Sequence, residues 1–192
     1  MSQRKKDSIV KMIFVLTLIC FLAGLSLSYT YNKTRDKILD AEFEAKLKSV
    51  KKVLPPFDGD AGVKKVIIEG EEKTFYLGRK QGSIIGVATA SSHLGYGGTL
   101  SILVGIDLEG IITGVALLEH QETPGLGAKA GGEAFLGQFK GKYLSDSDDK
   151  IMVKKDGGDI DSITSATITS RSVAEAATKA LRLFMQHKKE VL

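Results

Sequence analysis

The hairpin sequence GTLSILVGIDLEGIITGVALLEH, residues 98–120, decides the class of fold. Both arms are rich in β-branched residues, and the DLEG between them is a tight-turn sequence. It predicts strands over Thr99–Asp107 and Gly110–Glu119 that pair in antiparallel fashion. Three runs of similar composition precede the hairpin: VKKVIIEG (63–70), KTFYLGRK (73–80) and GSIIGVATAS (82–91). The sequence therefore predicts an α+β fold, in which an antiparallel sheet packs on helices.

A helix is predicted on each side of these strands. One apolar face repeats through the C-terminal region at helical spacing: Val173, Ala176, Ala177, Ala180, Leu181 and Phe184. We expect that helix to begin between Thr169 and Ser172, where hydroxyl residues, Ser170 among them, are suitable N-caps. Ser172 and Glu175 have the spacing of a capping box. Before the strands, Thr34–Leu54 has apolar residues at helical spacing and is followed by two prolines, which predicts an amphipathic connecting helix.

An uncharged apolar stretch near the N-terminus, MIFVLTLICFLAGLSLSY (Met12–Tyr29), predicts a membrane anchor. With the two apolar residues at 9 and 10 it reaches about 20 residues, enough to cross a bilayer as a helix. A cleaved secretory signal is the alternative, because Ser26 and Ser28 are small residues at a suitable spacing. We expect an uncleaved anchor.

The charges around this span favour a cytoplasmic N-terminus. Four basic residues precede the span (Arg4, Lys5, Lys6 and Lys11) and three follow it closely (Lys33, Arg35 and Lys37). We therefore predict a single-pass protein of the cytoplasmic (inner) membrane. Its parts in chain order are a cytoplasmic N-terminus (1–8), a transmembrane anchor helix (9–31), the connecting helix (32–56) and an extracytoplasmic domain (57–192).

Composition disfavours several classes of function. The single cysteine, Cys20, lies inside the predicted span, so one chain can form neither a disulfide nor a cysteine-based metal cluster. The formal net charge is +4, with lysines interleaved with acids and no basic stripe bearing aromatics, so we expect no nucleic-acid partner. His93 and His120 lack the spacing of metal ligands, and we expect no metal site. A hydrolase built from Ser165 or Ser170, with His120 and Asp161, would lack a nucleophile elbow.

Two other stretches indicate a ligand. In HQETPGLGAKAGG (120–132), Pro124 fixes one torsion while Gly125 and Gly127 allow close approach of the backbone, which suits a wall around a planar ligand or a purely structural loop. In DGGDIDSITSATITSRSVAEAA (156–177), small hydroxyl residues stand just before a predicted helix N-terminus, where free N–H groups favour a phosphate. Together these patterns suggest a phosphate-bearing ligand.

The second stretch closely resembles a known modification motif. DSITSATITS (161–170) is similar to the flavinylation motif of FMN-binding domains in the G subunit of the Rnf ion-translocating oxidoreductase and the C subunit of the sodium-pumping NADH:quinone reductase. HQETPGLG (120–127) looks like that family's loop beside the isoalloxazine ring, and GYGGTLSILVGIDLEGIITGV matches its hairpin. The resemblance covers roughly Ser83–Phe184, and the shorter chain points to the Rnf protein.

The resemblance implies a cofactor and its contacts. Thr167 would carry FMN through a phosphoester bond, installed by a flavin transferase that uses FAD and a divalent cation, with Asp161 matching the motif's leading acid. Two groups of residues would surround the cofactor: Glu122, Thr123, Leu126 and Gly127 at the ring, and Thr164, Ser165 and Ala166 near the phosphate or ribityl chain. Many members have glycine where this chain has Ser165. By charge alone, Lys129, Lys140 and Lys142 are candidate phosphate partners.

The implied function is that of a covalent-FMN electron carrier. It would serve a membrane complex that passes electrons between ferredoxin and NAD and moves sodium or protons. Its partners would be the other subunits of that complex, the flavin transferase and the lipid bilayer. The alternatives are a carrier of the C type from a sodium-pumping NADH:quinone reductase and a noncatalytic membrane-anchored binding module.

Overall fold

A computed structural model describes residues 2–146 and 149–192 of the chain. Its elements in chain order are helix α1 (Ser2–Val53), strands β1 (Gly62–Ile68), β2 (Glu71–Lys80), β3 (Ser83–Leu94), β4 (Thr99–Ile106) and β5 (Ile112–Glu119), and helices α2 (Glu133–Leu136) and α3 (Thr167–Val191). Short 3-10 helices occupy Gly127–Gly131, Gly137–Phe139 and Lys154–Asp156. The predicted α+β class is confirmed.

The five strands form one antiparallel sheet in the order β1-β2-β3-β4-β5. Each strand pairs with its sequence neighbour, as expected when tight turns join successive β-rich runs. The predicted hairpin is present as β4 and β5, with Leu103 opposite Ala116 and Val104 opposite Val115. Asp107 accepts hydrogen bonds at its carboxylate from the backbone N–H groups of Glu109 and Ile111, which fixes the turn.

The sheet is covered on both faces, and the alternation of side chains along β4 shows why. The larger core cluster includes Ile102 and Val104 and packs with α3, for example through Phe184. The smaller cluster on the opposite face includes Leu103 and packs with the end of α1, for example through Val50. Successive strand residues point to opposite faces, so the continuous apolar run Ile102–Val104 requires partners on both sides.

The end of α1 rests directly on two paired glycines. Gly105 lies opposite Gly114, and a Cβ atom on Gly105 would be 2.2 Å from the carbonyl oxygen of Val53. The hydroxyl of Thr113 donates a hydrogen bond to that same oxygen over 2.5 Å. Only a residue without a side chain allows this approach, so the glycines position the chain before it enters the sheet.

The chain divides into two compact units, Met1–Ala45 and Lys46–Leu192. The second unit includes residues 46–56, which the sequence assigned to a connecting helix, because the last turns of α1 supply Val50 and Val53 to the core. The predicted anchor helix (9–31) and most of the predicted connecting helix (32–56) fall within α1, which ends at Val53. The first unit offers no proline or glycine pair that would interrupt the helix.

Within the described residues, one helical stretch, Lys11–Val53, is long and apolar enough to cross a membrane by length and composition. Its large apolar side chains from Met12 to Leu27 are exposed within the chain. Contact with the hydrocarbon of a bilayer would remove this apolar surface from water. Met1 and the side chains of residues 2–10, on which the predicted orientation partly rests, lie outside the described part of the chain.

Candidate functional site

A cleft of about 550 Å³ lies between the start of α3 and the two glycine-rich loops that leave β3 and β5. Its lining residues are Tyr96, Glu122, Thr123, Leu126, Gly127, Ser165, Ala166, Thr167, Ile168 and Thr169. Three of its apolar side chains remain exposed at the rim: Tyr96, Leu126 and Ile168. The volume falls in the range of small-molecule sites, and the wall combines apolar surface with hydroxyl groups.

The buried carboxylate of Glu122 joins the three segments around this cleft. Its Oε1 accepts hydrogen bonds from the backbone N–H of Tyr96 at 2.9 Å and of Gly97 at 3.4 Å. Its Oε2 accepts a bond from the hydroxyl of Thr169 at 2.8 Å. Glu122 is 6% exposed, and a buried carboxylate is retained only when its oxygens find such donors. Its role in the structure is therefore to hold the cleft walls together.

Glycines around Glu122 leave no room for side chains. A Cβ atom on Gly127 would be 2.6 Å from Glu122 Oε2, and one on Gly95 would be 2.0 Å from Oε1. A Cβ on Gly97 would be 2.1 Å from the carbonyl oxygen of Gln121. The predicted close approach at Gly127 is thus real, although the group it approaches is the chain's own glutamate.

The loop before α3 turns sharply at Ser165. This residue has φ of 64°, in the left-handed region, and the N–H of Ala166 donates to the carbonyl of Ile163 at 3.0 Å. A side chain in the left-handed region costs about 1–2 kcal/mol, so Ser165 holds a backbone conformation that glycine would adopt with less strain. The turn brings Thr167 to the first position of α3, on the wall of the cleft.

The predicted start of α3, between Thr169 and Ser172, was two to five residues too late. The helix begins at Thr167, its N-cap is Ala166, and no side chain caps it. The hydroxyls of Ser170 and Ser172 instead donate to the carbonyls of Ala166 and Ile168, each at 2.9 Å. Both serines lie inside the helix, where a short hydroxyl side chain can bond to the preceding turn.

These two hydroxyls also tie α3 to its surroundings. Ser170 Oγ accepts a bond from the N–H of Ile163 at 2.9 Å. The single hydrogen of the Ser172 hydroxyl is shared between the carbonyl of Ile168 and that of Leu94, which is closer at 2.6 Å. The first bond fixes the loop before the helix, and the second fixes the end of β3. Because both hydroxyls are used in this way, neither caps the N-terminus of α3, which borders the cleft.

Thr167 has a basic neighbour. The ammonium of Lys155 donates a hydrogen bond to Thr167 Oγ1 at 3.1 Å. The residues on either side of Lys155 form ion pairs: Lys154 with Asp161 at 2.8 Å, and Asp156 with Arg171 through two bonds of 2.6 and 2.7 Å. Hydrogen bonding and charge from the Arg171 guanidinium lower the pKa of Asp156 below its ordinary value.

Most of the residues expected around a cofactor meet in this cleft. Seven of them line it: Glu122, Thr123, Leu126, Gly127, Ser165, Ala166 and Thr167. Thr164 is exposed on the same turn but is not part of the lining. Asp161 lies away from the lining, with its backbone N–H bonded to Gln138 and its carboxylate to Lys154.

The lysines that charge alone suggested as phosphate partners do not line the cleft. Lys142 pairs with Asp159, while Lys140 lines a different cavity beside α2. Lys155 was missed, because one lysine in a loop carries no periodic signal and its neighbours are also charged. Tyr96, Ile168 and Thr169 were missed as well; Tyr96 lies in the glycine-rich turn between β3 and β4.

The groups considered for other chemistry are otherwise engaged. Ser170 bonds to backbone atoms of its own loop, and His120 Nδ1 accepts a bond from the N–H of Glu122 at 3.3 Å. Throughout residues 2–146 and 149–192, no group of three or more His, Cys, Asp or Glu side chains is arranged to hold a metal ion. The arrangement is that of a binding cleft with a hydroxyl at a helix N-terminus.

Comparison with known proteins defines the class of this domain. Residues 95–182 match the FMN-binding domain family, and this range contains the whole cleft lining. The C subunit of the Na⁺-translocating NADH-quinone reductase from Parabacteroides distasonis is similar in structure, with a TM-score of 0.52 and 27% identity over 60% of this chain and 62% of that one. NqrC of Shewanella oneidensis shares the fold, with a TM-score of 0.53 and 24% identity over 67% of this chain and 69% of that one.

Sequence similarity over nearly the whole chain identifies the family. The G subunit of the ion-translocating oxidoreductase complex of Aliivibrio fischeri is 34% identical over 201 aligned residues, which cover 98% of this chain and 93% of that relative. The chain belongs to the family of these G subunits. The resemblance drawn from the two sequence motifs is confirmed.

Proposed function

We propose that this protein is an FMN-carrying electron-transfer subunit of a membrane-bound, ion-translocating oxidoreductase complex. The observation that carries the proposal is the cleft at the start of α3, whose lining lies within the FMN-binding domain match. Family membership supports the complex, because the similar G subunits are named as parts of an ion-translocating oxidoreductase. The protein itself would relay electrons, with neighbouring subunits as its donor and acceptor.

The chain's residues fit a flavin with a phosphate. The first backbone N–H groups of a helix have no partner within the helix, and α3 has no side-chain cap. Such a terminus stabilises an anion through these N–H groups and the helix dipole. The exposed apolar side chains of Tyr96, Leu126 and Ile168 give the rim a surface suited to a planar ring. FMN would supply the redox chemistry, and the protein would orient it and limit its exposure to water.

We further propose that the attachment is covalent, at Thr167. A flavin transferase would place FAD at the cleft so that Thr167 Oγ1 attacks the phosphorus of the FMN half. The new phosphorus–oxygen bond replaces the one to AMP, which leaves, and the hydroxyl proton passes to a base of the transferase. Asp161 is proposed to take part in recognition by that enzyme, since its side chain is exposed and lies one loop before Thr167. A tethered flavin stays with the protein in every oxidation state.

The proposed setting is a single-pass membrane protein with the cleft-bearing unit on the extracytoplasmic side. The apolar stretch of α1 supports the anchor, and the basic residues ahead of it support the orientation. Ferredoxin and NAD as electron partners, and sodium or proton as the coupling ion, stay predictions from the resemblance. A carrier of the C type from a sodium-pumping reductase is the second candidate, favoured by the similar solved structure. A noncatalytic binding module is the simplest alternative.

The test is to coexpress the full chain with a flavin transferase and measure intact mass and in-gel flavin fluorescence after denaturation. We expect one FMN per chain, absent in Thr167→Ala. Thr164→Ala is the matched control, because Thr164 is an exposed hydroxyl on the same turn but outside the cleft lining. It should be labelled like the natural chain.

The outcomes separate the alternatives. If FMN stays attached in Thr167→Ala but is absent from Thr164→Ala, the attachment site is Thr164 and not Thr167. A colourless, unmodified chain beside an active transferase would refute covalent attachment and leave noncovalent FMN binding or a binding module. Yellow colour that is lost on denaturation would support noncovalent FMN.

A further inference from the structure

The hydrogen bond between Lys155 and Thr167 points to a function for a residue outside the two recognised motifs. We propose that Lys155 is a positioning residue for flavinylation, which orients the Thr167 hydroxyl and becomes the counter-ion of the phosphodiester formed there. The observation is the 3.1 Å contact from Lys155 Nζ to Thr167 Oγ1. This inference rests on the proposed attachment of FMN at Thr167.

The backbone around Lys155 is held in place on both sides. Lys155 is the middle residue of the 3-10 helix Lys154–Asp156, which ends at Gly157 with φ of 92°. Val153 and Ile160 form a parallel bridge that closes this loop at its base, and both are buried. The ammonium therefore extends from an anchored turn and not from a free segment of chain.

Two ion pairs connect the same turn to α3 and to the loop that precedes it. Asp156 binds Arg171 in the second turn of α3 through a bidentate pair, and Lys154 binds Asp161 at the start of the loop before α3. A bidentate arginine–carboxylate pair fixes orientation as well as distance. Lys155, between these two anchors, is directed at the first residue of α3.

In the part of the chain that the structure describes, Lys155 forms no close ion pair with a carboxylate, and its charge acts on Asp156 only as a minor addition to that of Arg171. Its two acidic neighbours on the loops are already paired, Asp156 with Arg171 and Asp161 with Lys154. Lys142, by contrast, is paired with Asp159. Lys155 is thus a cation whose hydrogen-bond partner is the hydroxyl oxygen proposed to receive a phosphoryl group.

This geometry suits phosphoryl transfer. Because Thr167 Oγ1 accepts the bond from Lys155, its own hydrogen stays available to a base of the transferase. The ammonium stands beside the oxygen that would bond to phosphorus, so it lies close to where the non-bridging oxygens concentrate negative charge. Preorganised cations at that position stabilise the transition state of phosphoryl transfer. After transfer, the same ammonium would neutralise the single negative charge of the diester.

The experiment measures flavinylation rates of the full-length apoprotein in detergent, with purified flavin transferase, FAD and Mg²⁺. Initial rates from in-gel fluorescence are taken at saturating FAD and varied acceptor concentration for the natural chain, Lys155→Met and Lys155→Arg. Lys129→Met is the matched control, an exposed lysine outside the cleft lining. The melting temperature of each apoprotein is measured in parallel.

We expect Lys155→Met to lower the limiting rate roughly tenfold, which corresponds to about 1.4 kcal/mol of transition-state stabilisation. The acceptor concentration that gives half the limiting rate should not change, since Lys155 acts on the reacting oxygen. Arginine should recover most of the rate, because it restores a cationic donor. Lys129→Met should behave like the natural chain, and all melting temperatures should agree.

Several results would overturn the inference. Labelling of Lys155→Met at the natural rate would show that the ammonium has no effect on the reaction. A change confined to the half-saturating acceptor concentration would make Lys155 a docking contact for the transferase. A slow rate with a lowered melting temperature, not recovered by arginine, would assign it a structural role. If the natural chain takes up no FMN, the proposed function fails and this inference falls with it.

Discussion

Removing the carboxylate of Glu122 should destabilise the walls of the cleft. The side chain accepts two short hydrogen bonds, 2.9 Å from the N–H of Tyr96 and 2.8 Å from the hydroxyl of Thr169, besides a longer one from Gly97. Leaving a buried donor without its acceptor costs about 1–3 kcal/mol. Taking about 1.5 kcal/mol for each short bond and little for the long one, Glu122→Ala should lower the free energy of unfolding by about 3 kcal/mol.

Glu122→Gln should cost much less, about 1 kcal/mol, because the amide oxygen can still accept from one wall while the charge assistance is lost. Thr169→Val replaces the hydroxyl with a methyl group of similar size. The Glu122–Thr169 pair should show a coupling free energy of about 1 kcal/mol in a double-mutant cycle. The cycle separates this bond from the other consequences of each change.

Urea unfolding of the full chain in detergent, followed by circular dichroism of the sheet, measures these differences. Glu119→Ala is the matched control, since Glu119 is an exposed glutamate at the end of β5. It should change the unfolding free energy by less than about 0.5 kcal/mol. If Glu122→Ala proves as mild as Glu119→Ala, the carboxylate does not hold the three segments together, and the account of the cleft walls is refuted.

Two further predictions concern the loop and the turn around Thr167. Ser165→Gly should raise the unfolding free energy by about 0.5–1 kcal/mol, because relief of about 1–2 kcal/mol of left-handed strain exceeds the added entropy of the unfolded chain; a loss of stability in urea would contradict this. The Arg171 guanidinium lowers the pKa of Asp156, so their contribution to stability is present above the ordinary pKa of 3.8 and is lost as pH falls through the lower, folded value. Asp156→Asn should therefore reduce stability at pH 7 and flatten its decline below about pH 4; identical urea midpoints for both chains across that pH series would rule out the linkage.

Local patterns in the sequence predicted the sheet and its main hairpin. Runs rich in β-branched residues on either side of a four-residue turn specify pairing between chain neighbours, so β4 and β5 follow from Thr99–Glu119 alone. The apolar stretch of α1 could also be predicted from the sequence, because the thickness of a bilayer fixes the number of apolar residues that a spanning helix needs. The start of α3 was not, since several hydroxyls near a helix N-terminus are interchangeable as caps by residue type.

The candidate site was predictable in its motif residues but not in their supports. Thr167 and the loop around Glu122 stand in recognisable motifs, and the structure brings them into one cleft. The partners of Glu122 lie 26 and 47 residues away along the chain, and no spacing rule connects a buried glutamate with a backbone N–H so far from it.

What the sequence determines by itself here is local: strand pairing by periodicity, an anchor by length, and a flavinylation-like motif by residue order. Lys155 shows what only the tertiary structure decided. It is one of several lysines in the chain, and composition gives it no precedence over Lys142. Its position against Thr167 follows from a bridged loop and two flanking ion pairs, which exist only after the segments from 153 to 171 fold together. Charge on a residue can be read from its type, but the partner of that charge depends on the three-dimensional path of the backbone.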